Sequence, residues 1–159
     1  MINEFHLAYL NLGSNIQPET NLRKAVQLLS GYGEVQKISS VWESEAVGAD
    51  GPNYLNVCVL FKSVFGQSEL KAQVIRPIEE ILGRKRNDNK YTSRPIDIDI
   101  VLFDDWPVND NFWEMAYVIV PLAELYAEYQ NPESGEKVSE RATRLRGVVW
   151  LETRRGVLK

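Results

Sequence analysis

The sequence predicts an α+β fold built on an antiparallel sheet, and three observations carry this prediction. Apolar and polar residues alternate in several short segments, as in strands, and apolar residues recur at helical spacing in others. Turn-forming residues separate these segments. The chain has 159 residues, of which 44% are hydrophobic and 25% are charged, the composition of an ordinary globular protein. We therefore expect one domain over residues 1–159.

The first half of the chain predicts a strand, a helix and two further strands. Residues 6–12 form a short apolar strand that ends in the turn cluster Gly13-Ser14-Asn15. The next apolar residues recur every three or four positions and predict a helix over residues 20–31. Residues 35–44 make a weaker strand. Residues 54–62 make a stronger one, in which successive side chains point to opposite faces.

A second helix and a fourth strand complete the predicted core. The helix begins at Ser68, and Pro77 should kink or restart it. Residues 95–103 alternate, with isoleucines on one face and Asp97 and Asp99 on the other. The order βαββαβ is the ferredoxin-like arrangement, with an antiparallel sheet and its helices on one face.

Extra helices and a strand are expected after this core. Residues 121–129 predict a third helix with Pro121 in its first turn, and residues 131–135 predict a turn. The last twenty residues predict a short helix and a strand at residues 148–151.

Several features concern location and partners. Cys58 is the single cysteine and lies in an apolar run, which excludes an internal disulfide and favours a reducing compartment. The N-terminus lacks the charge and apolar stretch of a signal peptide. No apolar run approaches the roughly 20 residues of a membrane span. We expect a cytoplasmic monomer that contacts no membrane.

Charge is distributed unevenly along the chain. The net charge is −4, yet residues 84–94 carry +4 and residues 141–159 carry +5. A basic segment in an acidic protein indicates a local anionic partner. A nucleic-acid backbone is one alternative, but the acidic remainder of the chain argues against it.

The pair Asp97 and Asp99 is the sharpest local feature. Residues i and i+2 of a strand face the same side, about 6.5–7 Å apart. Carboxylates at this spacing can hold two divalent cations, although a solvated strand face explains the pair equally well. The basic stretch ends three residues before Asp97. Metal-binding carboxylates beside basic side chains predict a polyphosphate site.

Other candidate residues are less specific. The cluster Gly13-Ser14-Asn15 lacks the spacing and lysine of a phosphate-binding loop, so it is interpreted as a turn. Asn56 on an inner strand face either complements the edge of a heterocycle or is a hydrogen-bonded core residue. His6 is the only histidine and is interpreted as structural, so metal-binding or triad chemistry based on histidine is excluded.

Several motifs in order resemble one known family. They are Leu12-Gly13-Ser14-Asn15, Tyr54-Leu55-Asn56, Ile78-Glu79, Gly83-Arg84-Lys85-Arg86 and Arg94-Pro95-Ile96-Asp97-Ile98-Asp99-Ile100. Over residues 7–125 the chain resembles 6-hydroxymethyl-7,8-dihydropterin pyrophosphokinase of folate biosynthesis. The resemblance implies a ferredoxin-like core with extra C-terminal elements. It also implies transfer of the β,γ-diphosphate of ATP to the pterin hydroxymethyl oxygen, leaving AMP.

The resemblance assigns roles to individual residues. Asp97 and Asp99 would hold two Mg²⁺ ions, and Arg84 and Arg94 would clamp the transferring phosphates; these four are the implied catalytic residues. The implied ATP-binding residues are Glu79, Arg84, Arg86, Lys90, Arg94 and Ile100. The implied pterin-binding residues are Ser44, Val47, Tyr54, Asn56 and Tyr117. Such a transfer needs positioning and charge neutralisation, so no covalent nucleophile is expected.

The chain departs from the family pattern at several positions. Ser44-Glu45-Ala46-Val47 lacks the usual proline, and Lys90-Tyr91-Thr92-Ser93 replaces an Arg-Trp-Gly-Pro type of loop. Met115 stands where the family has an arginine that contacts ATP. One hypothesis is that the basic residues of the tail compensate for it. Two alternatives to an active enzyme stay open: a homologue that binds pterin or nucleotide without catalysis, and a ferredoxin-like nucleic-acid-binding domain.

Overall fold

A seven-stranded antiparallel sheet forms the centre of the structure. The computed structural model describes residues 4–46, 51–85 and 94–158, and the sheet is counted within them. Its strand order is β6-β5-β1-β4-β3-β7, and β2 also pairs with β4. The order β5-β1-β4-β3 is that of the predicted ferredoxin-like core. The strands are β1 (His6–Ser14), β2 (Glu34–Ile38), β3 (Val41–Ser44), β4 (Tyr54–Ser63), β5 (Asp97–Phe103), β6 (Trp106–Pro107) and β7 (Leu151–Arg154).

Helices connect the strands and cover the sheet. They are α1 (Pro18–Leu29), α2 (Gln67–Glu69), a π-helical turn (Leu70–Ile75), α3 (Arg76–Ile81), a 3₁₀ helix (Asp110–Glu114), α4 (Ala116–Tyr126) and α5 (Val138–Arg146). The helix widens just before Pro77 and α3 begins at Arg76, which confirms the predicted restart. Within the described ranges, no helix is both long enough and apolar enough to cross a bilayer.

The sheet separates two hydrophobic cores. On one face, here called the core face, Leu10, Leu12 and Val57 pack with residues of α1 and α3. On the opposite face, called the site face, Tyr9 and Cys58 pack with residues of α4 and α5. The prediction that the helices of the βαββαβ core lie on one face is therefore confirmed for α1 and α3, and the extra C-terminal helices α4 and α5 cover the opposite face. Strands β1 and β4 are apolar on both faces and so require a second layer of helices.

The predicted strand at residues 35–44 is two strands, because two serines interrupt it. The hydroxyl of Ser39 accepts a hydrogen bond from the Cys58 backbone N–H at 2.8 Å. The backbone N–H of Ser40 donates to the Glu124 carboxylate at 3.1 Å, away from the sheet. Side chains therefore take the place of backbone partners at these two serines. Strand β2 ends before them, and β3 begins after them at Val41.

Two C-terminal predictions are wrong in position. Helix α4 begins at Ala116, so Pro121 lies inside the helix and not in its first turn. A proline inside a helix costs about 3 kcal/mol. The helix buries six residues between Ala116 and Leu122 in the second core, and this burial offsets the cost. The last strand is Leu151–Arg154 and not residues 148–151, because pairing with β3 fixes its register.

Glu124 joins α4 to the start of β3. Its two carboxylate oxygens accept hydrogen bonds from the Ser40 hydroxyl at 2.7 Å and from Trp42 Nε1 at 2.6 Å. Trp42 is 7% exposed, so its N–H has little access to water as an alternative partner. This carboxylate therefore holds the second helical layer to the sheet.

We expect Glu124→Ala to lower the free energy of unfolding by about 1–2 kcal/mol, because it leaves the Trp42 N–H unpaired. Urea denaturation followed by tryptophan fluorescence measures the change. Glu133→Ala, which removes an exposed carboxylate from a turn, is the matched control and should be neutral. Equal stability of the two variants would contradict the prediction.

Candidate active site

A cavity of about 310 Å³ opens on the site face of the sheet. This volume suits a small organic ligand. Seven of the residues selected from the sequence line it: Ser44, Tyr54, Asn56, Arg94, Asp97, Asp99 and Tyr117. The others that line it are Asn11, Gly13, Glu45 and Met115. Two wider surface clefts, of about 510 and 570 Å³, lie beside Arg154; Glu19 and Glu43 line the first, and both form ion pairs with Arg154.

Strand register brings the polar residues of the site together. Gly13 of β1 lies opposite Asn56 of β4 on one side and Asp97 of β5 on the other. Two residues earlier, Asn11 lies between Cys58 and Asp99. Side chains alternate along a strand, so residues in these two rows share the site face. Asp97 and Asp99 therefore line one cavity, as the i, i+2 spacing on a strand predicts.

Arginines neutralise one end of the carboxylate pair. Arg84 Nη1 lies 2.8 Å from Asp97 Oδ1, and Arg94 Nη1 lies 3.6 Å from Asp97 Oδ2. Burial, together with the carboxylates of Asp97 and Glu79, raises the pKa of Asp99 to about 7. Without a cation, this environment therefore favours the protonated form of the Asp99 carboxyl group. A bound cation would replace that proton.

The two carboxylates of the cavity fit a hard cation whose remaining coordination positions are filled by ligands from outside the protein. The described residues hold no group of three or more His, Cys, Asp or Glu side chains arranged for a metal ion. Asp97 and Asp99 supply two carboxylates. A magnesium ion takes six oxygen ligands and commonly draws most of them from water and phosphate. Two protein carboxylates beside arginines therefore suit an ion that arrives with a phosphate group.

Glu79 lies beneath the cavity and joins α3 to β5. It is 4% exposed, it forms an ion pair with Arg84, and one of its oxygens accepts from the Ile98 backbone N–H at 3.0 Å. Burial raises the pKa of its carboxyl group. Glu79 does not line the cavity. The structure therefore places it as a support that aims Arg84 at Asp97.

The turn after β1 fixes the position of Arg94. Asn15 Oδ1 accepts from the Arg94 backbone N–H at 2.7 Å, and the Asn15 backbone N–H donates to the Arg94 carbonyl at 3.1 Å. Sequence reasoning interpreted Gly13-Ser14-Asn15 only as a turn and missed this role. The available signal was an asparagine in the turn after a predicted strand, because asparagine side chains commonly bond to backbone groups there. In the structure Asn15 is 6% exposed.

Asn56 and two tyrosines form the part of the cavity suited to a flat ring. Asn56 Nδ2 donates to the Ser44 hydroxyl at 2.8 Å, which orients its amide. A Cβ atom at Gly13 would lie 3.0 Å from Asn56 Oδ1, so glycine leaves that oxygen room. Tyr54 and Tyr117 line the same cavity, and aromatic side chains of this kind bind planar heterocycles.

Met115 occupies the position at which the resemblance implies an arginine. It lines the cavity, and its sulfur accepts a hydrogen bond from the Tyr117 hydroxyl at 3.2 Å. The basic tail does not replace the arginine at the cavity. Arg141 and Arg144 pair with Glu136, and the Arg146 guanidinium lies 5.1 Å from the centre of the Trp42 ring. The hypothesis of compensation by these residues finds no support in their contacts.

Five further residues chosen from the sequence do not line the cavity or cannot be placed. Arg84 is not among the lining residues, although its Nη1 lies 2.8 Å from Asp97 Oδ1. Ile100 packs in the core face, 7% exposed, away from the carboxylates. Val47, Arg86 and Lys90 lie outside the described residues. Their implied roles with pterin and ATP stay predictions.

Comparison with known proteins places this architecture in one family. Residues 9–127 match the family model described as 7,8-dihydro-6-hydroxymethylpterin-pyrophosphokinase. A Synechocystis protein named 2-amino-4-hydroxy-6-hydroxymethyldihydropteridine pyrophosphokinase is 32% identical over 145 residues, covering 84% of this chain and 73% of its own. A Porphyromonas gingivalis protein of the same name is 32% identical over 146 residues, covering 80% and 95%.

Solved structures show the same fold. The pyrophosphokinase–synthase chain of Plasmodium falciparum, crystallised as a triple mutant with pteroate, matches with a TM-score of 0.72 at 14% identity. The match covers 90% of this chain and 44% of that chain, so this chain spans less than half of the Plasmodium protein. At this identity the likeness concerns the fold alone.

The chain belongs to the 7,8-dihydro-6-hydroxymethylpterin-pyrophosphokinase family and is an enzyme of the pyrophosphokinase class. The resemblance identified from the sequence motifs is thereby confirmed, as is the α+β fold.

We expect Glu79→Ala to lower the free energy of unfolding by about 2–4 kcal/mol, because it leaves Arg84 and the Ile98 N–H without a buried partner. Urea denaturation of the ligand-free protein measures this. The control is Glu80→Ala, which truncates the adjacent exposed carboxylate and should change little. A neutral result for Glu79→Ala would show that it does not support the site.

Proposed function

We propose that this enzyme transfers diphosphate from ATP to the hydroxymethyl group of 6-hydroxymethyl-7,8-dihydropterin, with AMP as the second product. One observation carries the proposal. Asp97 and Asp99, flanked by Arg84 and Arg94, line the same cavity as Tyr54, Asn56 and Tyr117. A phosphate-binding half and a heterocycle-binding half thus meet where a hydroxyl could attack a phosphorus atom.

The pterin occupies the aromatic half of the cavity. Its ring lies between Tyr54 and Tyr117, and Asn56, oriented by Ser44, offers an amide to the ring edge. Val47 belongs to the same proposed binding set. Fixing the ring in this way directs the hydroxymethyl group toward Asp97 and Asp99, which supplies much of the catalytic advantage through orientation.

The phosphates occupy the charged half. Arg84 and Arg94 bind the β- and γ-phosphates, and Glu79 holds Arg84 in place from below. Asp97 and Asp99 would hold two Mg²⁺ ions, which when bound neutralise phosphate charge. Arg86, Lys90 and Ile100 belong to the proposed nucleotide-binding set.

The reaction requires no covalent nucleophile from the protein. The hydroxymethyl oxygen forms a bond to the β-phosphorus, and the bond from that phosphorus to the oxygen bridging the α-phosphate breaks. The bridging oxygen leaves with AMP, and the hydroxyl proton is released. The protein residues orient the two substrates and balance the charge that moves between them.

Met115 favours one alternative, a member that binds its ligands without efficient turnover. The loss of an arginine at a phosphate removes a charge-assisted hydrogen bond worth about 1.5–3 kcal/mol. The nucleic-acid alternative requires an open sheet face. Here α4 and α5 cover part of the site face, and two carboxylates line the cavity that stays open, which counts against that alternative.

We expect the purified protein to release AMP only when ATP, Mg²⁺ and the reduced hydroxymethylpterin are all present. Asp97→Ala should reduce the rate by about 100-fold or more, because it removes a carboxylate that neutralises and positions the phosphates. Asp110→Ala, which removes a carboxylate outside the cavity, is the matched control and should retain activity. Chromatographic quantification of AMP measures the rates.

The two remaining outcomes separate the alternatives. Absence of AMP together with calorimetric binding of the pterin would select the binding homologue. Absence of both turnover and binding would refute the proposed function.

We expect Met115→Arg to raise ATP affinity by about 10–100-fold, because it places a guanidinium in the cavity beside the proposed phosphate position. Calorimetric titration with ATP and Mg²⁺ measures the change. Met115→Leu, which keeps the volume without the charge, should show no gain. An unchanged affinity in Met115→Arg would mean that the phosphates lie elsewhere.

A further inference from the structure

Asn11 is a buried polar residue in the middle of the central strand β1. It lies between Leu10 and Leu12, which are fully buried in the core face, and it is itself 3% exposed. Asparagine is depleted in strands, so an asparagine at this position needs a reason. The resemblance to the family assigns it no role.

The side-chain oxygen of Asn11 lacks a hydrogen-bond partner. Its Oδ1 atom is the one buried side-chain oxygen or nitrogen in the described part of the chain that has no hydrogen bond. A buried polar atom without a partner costs about 1–3 kcal/mol. A purely structural asparagine would have this atom satisfied, as Asn15 Oδ1 is by the Arg94 backbone N–H just after the same strand.

The surroundings of Asn11 indicate where its partner comes from. The residue lines the same cavity as Asp97, Asp99 and Tyr117. In the strand register it lies directly opposite Asp99, one row away from Asn56, which lies opposite Gly13. Rows of this kind are about 7 Å apart. The cavity floor therefore carries two amides, one at the Ser44 end and one beside the carboxylate pair.

We infer that Asn11 is a positioning residue that hydrogen-bonds the hydroxyl of the substrate's hydroxymethyl group. This inference rests on the proposed function. Asn56 binds the ring edge at the Ser44 end of the cavity. The amide of Asn11 therefore lies near the opposite end of the bicyclic ring, and that end carries the hydroxymethyl group. A hydroxyl donates to an amide oxygen and accepts from an amide nitrogen, so it satisfies whichever end of Asn11 faces the cavity.

This contact would fix the reacting oxygen before transfer. An alcohol held beside Asp99 has fewer orientations available, and its oxygen points to the phosphate half of the cavity. The contact also makes Asn11 selective, because a pterin without the hydroxyl leaves the amide unpaired. The quantity to measure is therefore the ratio of the affinities for a pterin with the hydroxyl and one without it. Replacing a residue needed only for folding would not change this ratio.

The experiment compares two ligands in wild-type protein and Asn11→Leu, which keeps the shape of the side chain without its polar atoms. The ligands are 6-hydroxymethyl-7,8-dihydropterin and 6-methyl-7,8-dihydropterin, titrated calorimetrically with Mg²⁺ and an α,β-methylene ATP analogue. We expect the variant to bind the hydroxymethyl compound about three- to tenfold more weakly and the methyl compound within twofold of wild type.

A matched control uses the neighbouring position in the same row. Cys58→Val changes a fully buried side chain opposite Asn11 that does not line the cavity, and it should preserve both affinities. If Asn11→Leu does not fold, Asn11→Ala replaces it, and the ratio of its two affinities decides in the same way.

The outcomes separate this inference from the proposed function. Equal weakening of both ligands, or of neither, in the Asn11 variant overturns the inference while the proposed function stands. Failure of the wild-type protein to bind the hydroxymethyl compound overturns both.

Discussion

The contact between Glu79, Arg84 and β5 is the constraint on which the site depends. Glu79 comes from α3, on the core face, yet it accepts a hydrogen bond from the backbone of Ile98 and holds an arginine that reaches Asp97. This one buried carboxylate thus fixes the position of α3 relative to β5 and the direction of the Arg84 guanidinium group. These partners offset part of the cost of burying its charge, and their removal would leave that charge uncompensated. The geometry of the charged half of the cavity, around Asp97, therefore depends on a residue that does not line it.

The two-layered burial of the sheet explains why polar side chains of the cavity are withdrawn from water. Central strands β1 and β4 face a hydrophobic core on both sides over most of their length. Helices α4 and α5 cover only part of the site face, and polar residues replace apolar ones where this cover ends. Asn56 and Asp99 lie there, largely withdrawn from water. A ligand in this place meets strong electrostatic interactions because little water competes for them.

Much of this arrangement was predictable from local pattern. The alternation around Asp97 and Asp99 predicts a shared face, and the turn residues delimit most strands. Long-range contacts were not predictable in the same way. The break at Ser39 depends on Cys58 and Glu124, which lie 19 and more residues away, and the start of α4 depends on burial that overrides the preference of Pro121. The support role of Glu79 was missed for the same reason, since its partners belong to another element.

Strand β7 has a consequence for the order in which the chain acquires its structure. The outer edge of β3, which contributes Ser44 to the site, is hydrogen-bonded by β7, and Arg154 and Glu43 in this pair are 111 residues apart. During synthesis, more than a hundred further residues are added after β3 before β7 is available to pair with its edge. Contacts of such separation slow folding, and an open strand edge invites pairing with other chains. The polar and charged side chains that β3 and β7 carry on this edge, Glu43 and Arg154 among them, favour the native partner over a foreign strand during that interval.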